Sequence, residues 1–208
     1  MRGGRAGYTN GYITHTAYPA HGFSYLRWGI ALTTYCAFLR GVNVNGKAMK
    51  MAEAGEALVR AGLTGVVPVL ASGNIIFRSD MAQGGLRGFL ENVLSDRFGD
   101  DVRLFVKTSE EVSAMLASSP FEDDPEFHTY VFVCEPGSED GLLAEFDRIT
   151  PSEGEAAEVA GGLFYWRCRK GATLDSGFSK ILGRKDMRGR FTSRNIGTIA
   201  KVAAKMEA

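Results

Sequence analysis

The residues with the most chemistry to offer are cations and hydroxyls. No nucleophile paired with a base stands out. Gly189-Arg190-Phe191-Thr192-Ser193-Arg194-Asn195 puts two guanidinium groups, two hydroxyls and a carboxamide into seven residues. Arginine can grip phosphate or carboxylate through two parallel hydrogen bonds, and helix N-terminal N–H groups add to such a grip. Thr192 or Ser193 reads as the start of a helix, with Arg194 in its first turn. A cation there opposes the helix dipole at a cost of up to about 1 kcal/mol unless an anion lies between them. A second anion-holding turn is Gly41-Val42-Asn43-Val44-Asn45-Gly46-Lys47, read as a strand-to-helix connection with Lys50 nearby. It has phosphate-loop spacing, but Ala48 occupies the position of the Ser or Thr that would hold Mg²⁺. Nucleotide hydrolysis is therefore not expected there.

Other reactive groups are sparse. His128 is the only histidine after residue 32 and has no Asp, Ser or Cys partner by motif. It reads as structural. There is no GxSxG and no HExxH. Glu122, Asp123, Asp124 and Glu126 surround Pro125 and read as a solvated loop, so no metal and no cofactor are expected. Cys36, Cys134 and Cys168 form no CxxC and have long spacings. They read as small buried thiols suited to a reducing cytoplasm. No run approaches the ~18 apolar residues of a membrane span.

Basic and acidic residues number 24 each, so total charge carries no information about partners. Distribution does. Residues 108–166 hold fourteen acids against Arg148 alone, and residues 167–208 hold eleven basic residues against three acids. One reading is mutual neutralisation within the protein. Another is a basic surface for nucleic acid, with Phe191 or Trp166 as a stacking platform. A third is a protein-interaction face on the acid-rich segment.

The elements that must position these groups follow from periodicity. Residues 34–39 and 66–70 read as strands, and Ser72-Gly73-Asn74 turns the second directly into a third. Met51, Ala54, Leu58 and Ala61 mark one helix. After a cap at Asp80, the stripe Leu86, Phe89, Leu90, Val93, Leu94 and Phe98 marks another. Residues 102–106 form a fourth strand. The order β-α-β-β-α-β over 33–107 predicts a ferredoxin-like sandwich.

A second α+β subdomain is expected over 108–208. Thr108-x-x-Glu111 is a capping box. Strands are expected at 129–134 and 163–168. A helix stripe follows at Leu174, Phe178, Ile181 and Leu182, and a last helix is capped by Ser193. Gly161-Gly162 reads equally as a hairpin turn, which leaves the topology of this half open. No internal repeat is evident. Residues 1–32 carry three Arg, no acid and no periodicity, and are expected to be a disordered leader or an upstream mis-called start.

Three stretches together resemble a known pattern. Residues 37–46 (AFLRGVNVNG) are similar to an opening "LRGINVGG" motif, residues 71–77 (ASGNIIF) to "QSGNVVF", and residues 192–198 (TSRNIGT) to "TTRNWNT". The chain thus resembles the bacterial family catalogued as domain of unknown function 1697, from about Thr33 to the end. The resemblance implies an α+β protein with a ferredoxin-like first part, a start near Leu32, and no established activity. Asn45, Ala71, Ser193, Ile196 and Gly197 depart from the motifs.

The expected function is binding of a small anionic or phosphate-bearing ligand. The candidate site joins Arg40, Asn43, Asn45 and Lys47 to Ser72 and Asn74, and to Lys180, Thr192, Arg194, Asn195 and Thr198. Arg40, Lys180 and Arg194 would supply charge, and Asn43, Asn74 and Asn195 orienting hydrogen bonds.

Overall fold

Alternation builds the first sheet. The computed structural model describes residues 31–40, 43–44, 47–99, 101–184, 187 and 190–208, with the backbone alone for 43–44 and 47–48. Residues 1–30 of the expected leader lie outside that set. In β1 (Thr33–Arg40), Tyr35, Ala37 and Leu39 face one core while Cys36 and Phe38 face another, as a period of two requires. The two-residue strands β2 (Asn43–Val44) and β3 (Lys47–Ala48) pair with each other, and α1 (Met51–Arg60) follows. Then come β4 (Thr64–Val69), β5 (Asn74–Ser79), α2 (Gln83–Phe98) and β6 (Arg103–Thr108). The sheet order is β4-β5-β1-β6, and every pair is antiparallel. This is the ferredoxin-like arrangement expected from the order of elements.

Helix α2 buries Leu86, Leu90 and Leu94 completely, one turn apart, against β1, β5 and β6. Phe89, Val93 and Phe98 pack at the edge of that cluster instead of inside it. The cap is Ala82, which makes no side-chain bond, so the expected cap at Asp80 is corrected. Gly99, at φ +72, closes the helix and returns its N–H to the Ser95 carbonyl.

The second half repeats the first. After α3 (Ser109–Ala117) come β7 (Phe127–Cys134), α4 (Glu139–Phe146), β8 (Ala156–Ala160), β9 (Leu163–Arg169), α5 (Gly177–Leu182), β10 (Phe191–Asn195) and α6 (Ile196–Met206). The sheet order β10-β7-β9-β8 reproduces the first topology strand for strand, and Gly161-Gly162 is the hairpin turn between β8 and β9. Register makes the match residue by residue. Tyr35 opposes and stacks on Phe77 at 5.7 Å between centroids, and Tyr130 opposes and stacks on Trp166 at 5.3 Å. On their other sides Tyr35 opposes Thr108 and Tyr130 opposes Asn195. Each of those partners caps the helix that follows, α3 or α6. The capping box at Thr108 and Glu111 is present in full.

Two expectations for this half are corrected. Leu174 precedes α5 and is 86% exposed, and Ser176 is the cap. The last helix starts at Ile196, capped by Asn195. Residues 191–195 are a strand because Phe191 and Ser193 alternate with Thr192 and Arg194, and the free edge of β7 takes up their backbone bonds.

Residues Ala31–Ala208 form one compact unit. Helices α1 and α2 cover the outer face of the first sheet, and α4 and α5 the outer face of the second. Helices α3 and α6 pack on each other, and with the inner faces of both sheets they share a single cluster. Phe38 and Ile76 meet Val112, Val131, Tyr165 and Ile199 in it. The Tyr165 hydroxyl is satisfied there by the Met115 carbonyl at 3.1 Å.

Leu90→Ala should cost about 3 kcal/mol, in the range for a fully enclosed leucine. Phe89→Ala, at the cluster edge, should cost clearly less. Urea titration of both variants checks the order, and equal losses would place α2 in a different register.

Candidate functional site

The three motif stretches meet at one side chain. Arg194 points inward from β10 and is 7% exposed. Its Nε donates to Asn74 Oδ1 at 2.6 Å. Nη1 donates to Thr192 Oγ1 at 2.7 Å and to the Ser193 carbonyl at 2.8 Å. Nη2 donates to the Leu39 carbonyl at 2.7 Å and to the Gly73 carbonyl at 3.1 Å. A guanidinium has five N–H donors, and all five are used. The Phe38 ring lies 5.7 Å away. Every acceptor is neutral. Burial pulls the Arg194 pKa down to about 10, which still leaves it charged at neutral pH.

The acceptors are themselves fixed. Asn74 is wholly buried and donates to the Val69 carbonyl at 3.0 Å and to Ser72 Oγ at 2.9 Å. The Gly73 carbonyl also accepts the Leu39 N–H at 2.7 Å. The hairpin between β4 and β5 turns through Leu70 at φ +59, a conformation that costs a leucine roughly 1–2 kcal/mol. The end of β1, this hairpin and β10 are thus one hydrogen-bonded assembly.

The expected site residues divide accordingly. Arg194 stands on a strand, not in a helical first turn, and its donors are spent on the protein. Thr192 is buried beside it, with its hydroxyl 3.5 Å from the Leu39 carbonyl. Arg40 is half-buried at the end of β1, and Ser72 is exposed on the hairpin. Asn43 and Lys47 lie in the ladder of β2 and β3, while Asn45 lies outside the described residues. That ladder stands between β1 and α1, so the turn is not the direct strand-to-helix connection expected. Lys180 is exposed on α5, over the opposite face of the second sheet, and does not join the cluster. Thr198 is half-buried in the first turn of α6.

Asn195 serves a different place. Its Oδ1 accepts the Gly197 N–H at 2.9 Å, so its amide nitrogen faces His128 Nδ1 at 3.1 Å. An amide nitrogen only donates, which makes Nδ1 the acceptor and puts the imidazole proton on Nε2. His128 and Asn195 line a cleft of about 680 Å³ with Ser119, Phe121, Thr129 and Lys170. His128 has no Asp, Ser or Cys partner by motif, and the residue it meets here is an asparagine. Its partner lies 67 residues on, inside the third motif, and only that motif's asparagine signals it.

Part of the charge asymmetry is neutralised within the protein. Arg169 meets Glu126 at 3.1 Å and Glu153 at 3.7 Å. Glu145 holds both Arg148 and Arg184. Arg167 lies between the rings of Phe121 and Phe127, at 5.1 and 4.7 Å. Among the described residues, no group of three or more His, Cys, Asp or Glu is arranged to hold a metal ion, and no helix is long and apolar enough to cross a membrane.

Known proteins give one family and one fold. A family model described as a protein of unknown function, DUF1697, matches residues 32–165. No curated protein matches. The conserved bacterial protein SP0830 from Streptococcus pneumoniae has a similar structure, with a TM-score of 0.70. It is 23% identical, and the match covers 86% of this chain and 100% of that one.

Arg194→Lys should lower stability by about 3 kcal/mol or more. An ammonium cannot reach five acceptors in a fork geometry, and each buried acceptor left unpaired costs roughly 1–3 kcal/mol. Urea unfolding measures this, and a loss under about 1 kcal/mol would mean that the guanidinium contacts do not hold the fold.

Proposed function

Since the chain belongs to the DUF1697 family of proteins of unknown function, its activity has to be read from its own residues, and we propose that it binds a small anionic, phosphate-bearing ligand where β1 ends against the β4–β5 hairpin. The observation that carries this is the convergence of all three motif segments on Arg194. In this reading Arg194, Asn74 and Thr192 are positioning residues. Arg40 and Ser72 face the ligand, and Asn43, Asn45 and Lys47 are the further ligand groups that the sequence nominates. A rigid backbone at the mouth matters because a ligand then pays little to order its site. The strained Leu70 beside Ser72 supports the reading, since backbone strain gathers where a site needs a fixed shape. Three buried thiols suit a cytoplasmic protein.

The nucleic-acid reading has less support. Arg167, Arg169, Arg184 and Arg194 are already engaged inside the chain, which leaves it the exposed Lys170, Lys180, Arg190, Lys201 and Lys205, and its stacking platforms Trp166 and Phe191 are buried.

Thermal unfolding in phosphate against chloride at matched ionic strength tests the proposal. At a phosphate concentration about tenfold above Kd, binding adds about 1.4 kcal/mol, on the order of 4 °C for a chain of this size. Arg40→Ala and Lys47→Ala should each remove at least half of that rise. Equal rises in all three proteins would reduce the effect to ion exclusion and end the proposal.

A further inference from the structure

The free edge of β4 and the helix lying over it leave an apolar face without cover among the described residues. The strand Thr64–Val69 carries no charged side chain. The other three edge strands of the two four-stranded sheets each carry at least one: Arg103 and Lys107 on β6, Glu158 on β8 and Arg194 on β10. Charge on an edge strand keeps other chains away, and β4 lacks that guard. Val59 on α1, Val67 on β4 and Leu70 just after it are 56, 40 and 48% exposed. They are three of the six large apolar side chains left exposed among the described residues. Single exposed apolar side chains need no explanation, but a group along one edge marks a contact surface.

A groove of about 560 Å³ runs between α1 and β4, with Val59 on its helix wall and Val66 and Pro68 on its strand wall. The walls meet at Gly55, where a Cβ would stand only 3.1 Å from Pro68 Cγ. Pro68 has no N–H, and the β4–β5 register shifts between Thr64 and Val67, so this edge is a poor template for an added strand. A partner has to meet it through side chains.

The charges in the groove select the partner. Glu56 and Arg60 stand one turn apart on α1 and meet each other at 3.6 Å, both largely exposed. Such a pair contributes little, and its members are free to exchange partners. Glu53, by contrast, is held by Lys50 and by Arg97 of α2. Two copies of α1 laid antiparallel, and centred midway between Glu56 and Arg60, set Glu56 of each copy opposite Arg60 of the other. Val59 lies one residue from that centre, so the two valines meet there. Charge and apolar surface therefore favour the same arrangement, and a two-fold contact is the commonest way for a chain to pair with itself.

We propose that this face pairs two copies of the chain. Helix α1 packs antiparallel on α1 of the second copy, Val59 against Val59, with a Glu56–Arg60 pair on either side. One ten-residue helix and one strand make a small interface, which fits a concentration-dependent dimer. The face uses neither Arg40 nor Ser72, so it stands apart from the anion site.

Sedimentation velocity on the full chain, from low micromolar to several hundred micromolar, tests this. The mass should rise from 22.5 kDa toward twice that value. Val59→Asp should weaken pairing at least about tenfold, because it sets two carboxylates against each other at the axis. Glu56→Arg and Arg60→Glu should each weaken self-pairing by a similar factor, since like charges then face each other. An equimolar mixture of these two variants should pair as well as the wild type, because in the mixed dimer every cation again faces a carboxylate. All three positions are exposed, so the variants should keep the wild-type unfolding midpoint. A chain that stays monomeric throughout would overturn the proposal and leave the face to a different partner. A dimer that survives Val59→Asp, or a mixture that pairs no better than its two components, would overturn it equally.

Discussion

A buried cation without a buried anion is the constraint around which this protein is arranged. Removing a guanidinium from water is costly unless every N–H finds an acceptor. Arg194 meets that demand with backbone carbonyls from β1 and the β4–β5 hairpin, a carboxamide, and two groups of its own strand. Two of its acceptors lie some 120 residues away in sequence, and a third more than 150. They can be satisfied only when the first and second ferredoxin-like halves are docked. The same bonds fix the carbonyls of Leu39 at the end of β1 and of Gly73 on the hairpin. A neutral side chain would remove a hydrogen bond from each of those carbonyls, and a lysine could restore only some of them.

Around that point the halves share more than topology. Each has a tyrosine stacked across the sheet on an aromatic partner, and each ends its last strand on the residue that caps the next helix. The two extra helices, α3 and α6, then fill the space between the inner sheet faces. The repeat is invisible in the sequence because register conserves only a handful of types. Thr34-Tyr35 matches Thr129-Tyr130, and Phe77-Arg78 matches Trp166-Arg167. Sheets tolerate wide exchange at the remaining positions so long as alternation is kept.

Legibility followed the strength of the local signal. The first half could be read because apolar strands and a three-turn leucine stripe dictate their own periods, and a short hairpin excludes a crossover. The second half was harder for one physical reason: β10 is a polar strand. Thr192, Ser193 and Asn195 are good helix caps and poor strand formers, so residues 191–195 resemble a helix start. Their strand character comes from the edge of β7, a tertiary cause. Misplacing that boundary by two residues put Arg194 into a helix dipole instead of a core. Sequence also cannot separate an arginine that holds carbonyls from one that holds a ligand. It did bring Arg194, Asn74 and Thr192 together as one group, and the structure joins them. His128 reads as structural in the sequence because its partner Asn195 lies 67 residues away, inside a motif.

The most direct test of the Arg194 assembly is a double-mutant cycle between its two halves. Arg194→Leu, Asn74→Ala and the double variant are unfolded in urea beside the wild type. If the guanidinium and the Asn74 carboxamide depend on each other, the double variant should be more stable than the sum of the single losses implies, by about 1.5 kcal/mol or more, as expected for a buried charged hydrogen bond. Additive losses, within about 0.5 kcal/mol, would contradict the account and make the contact incidental to a fold held by its apolar cores alone.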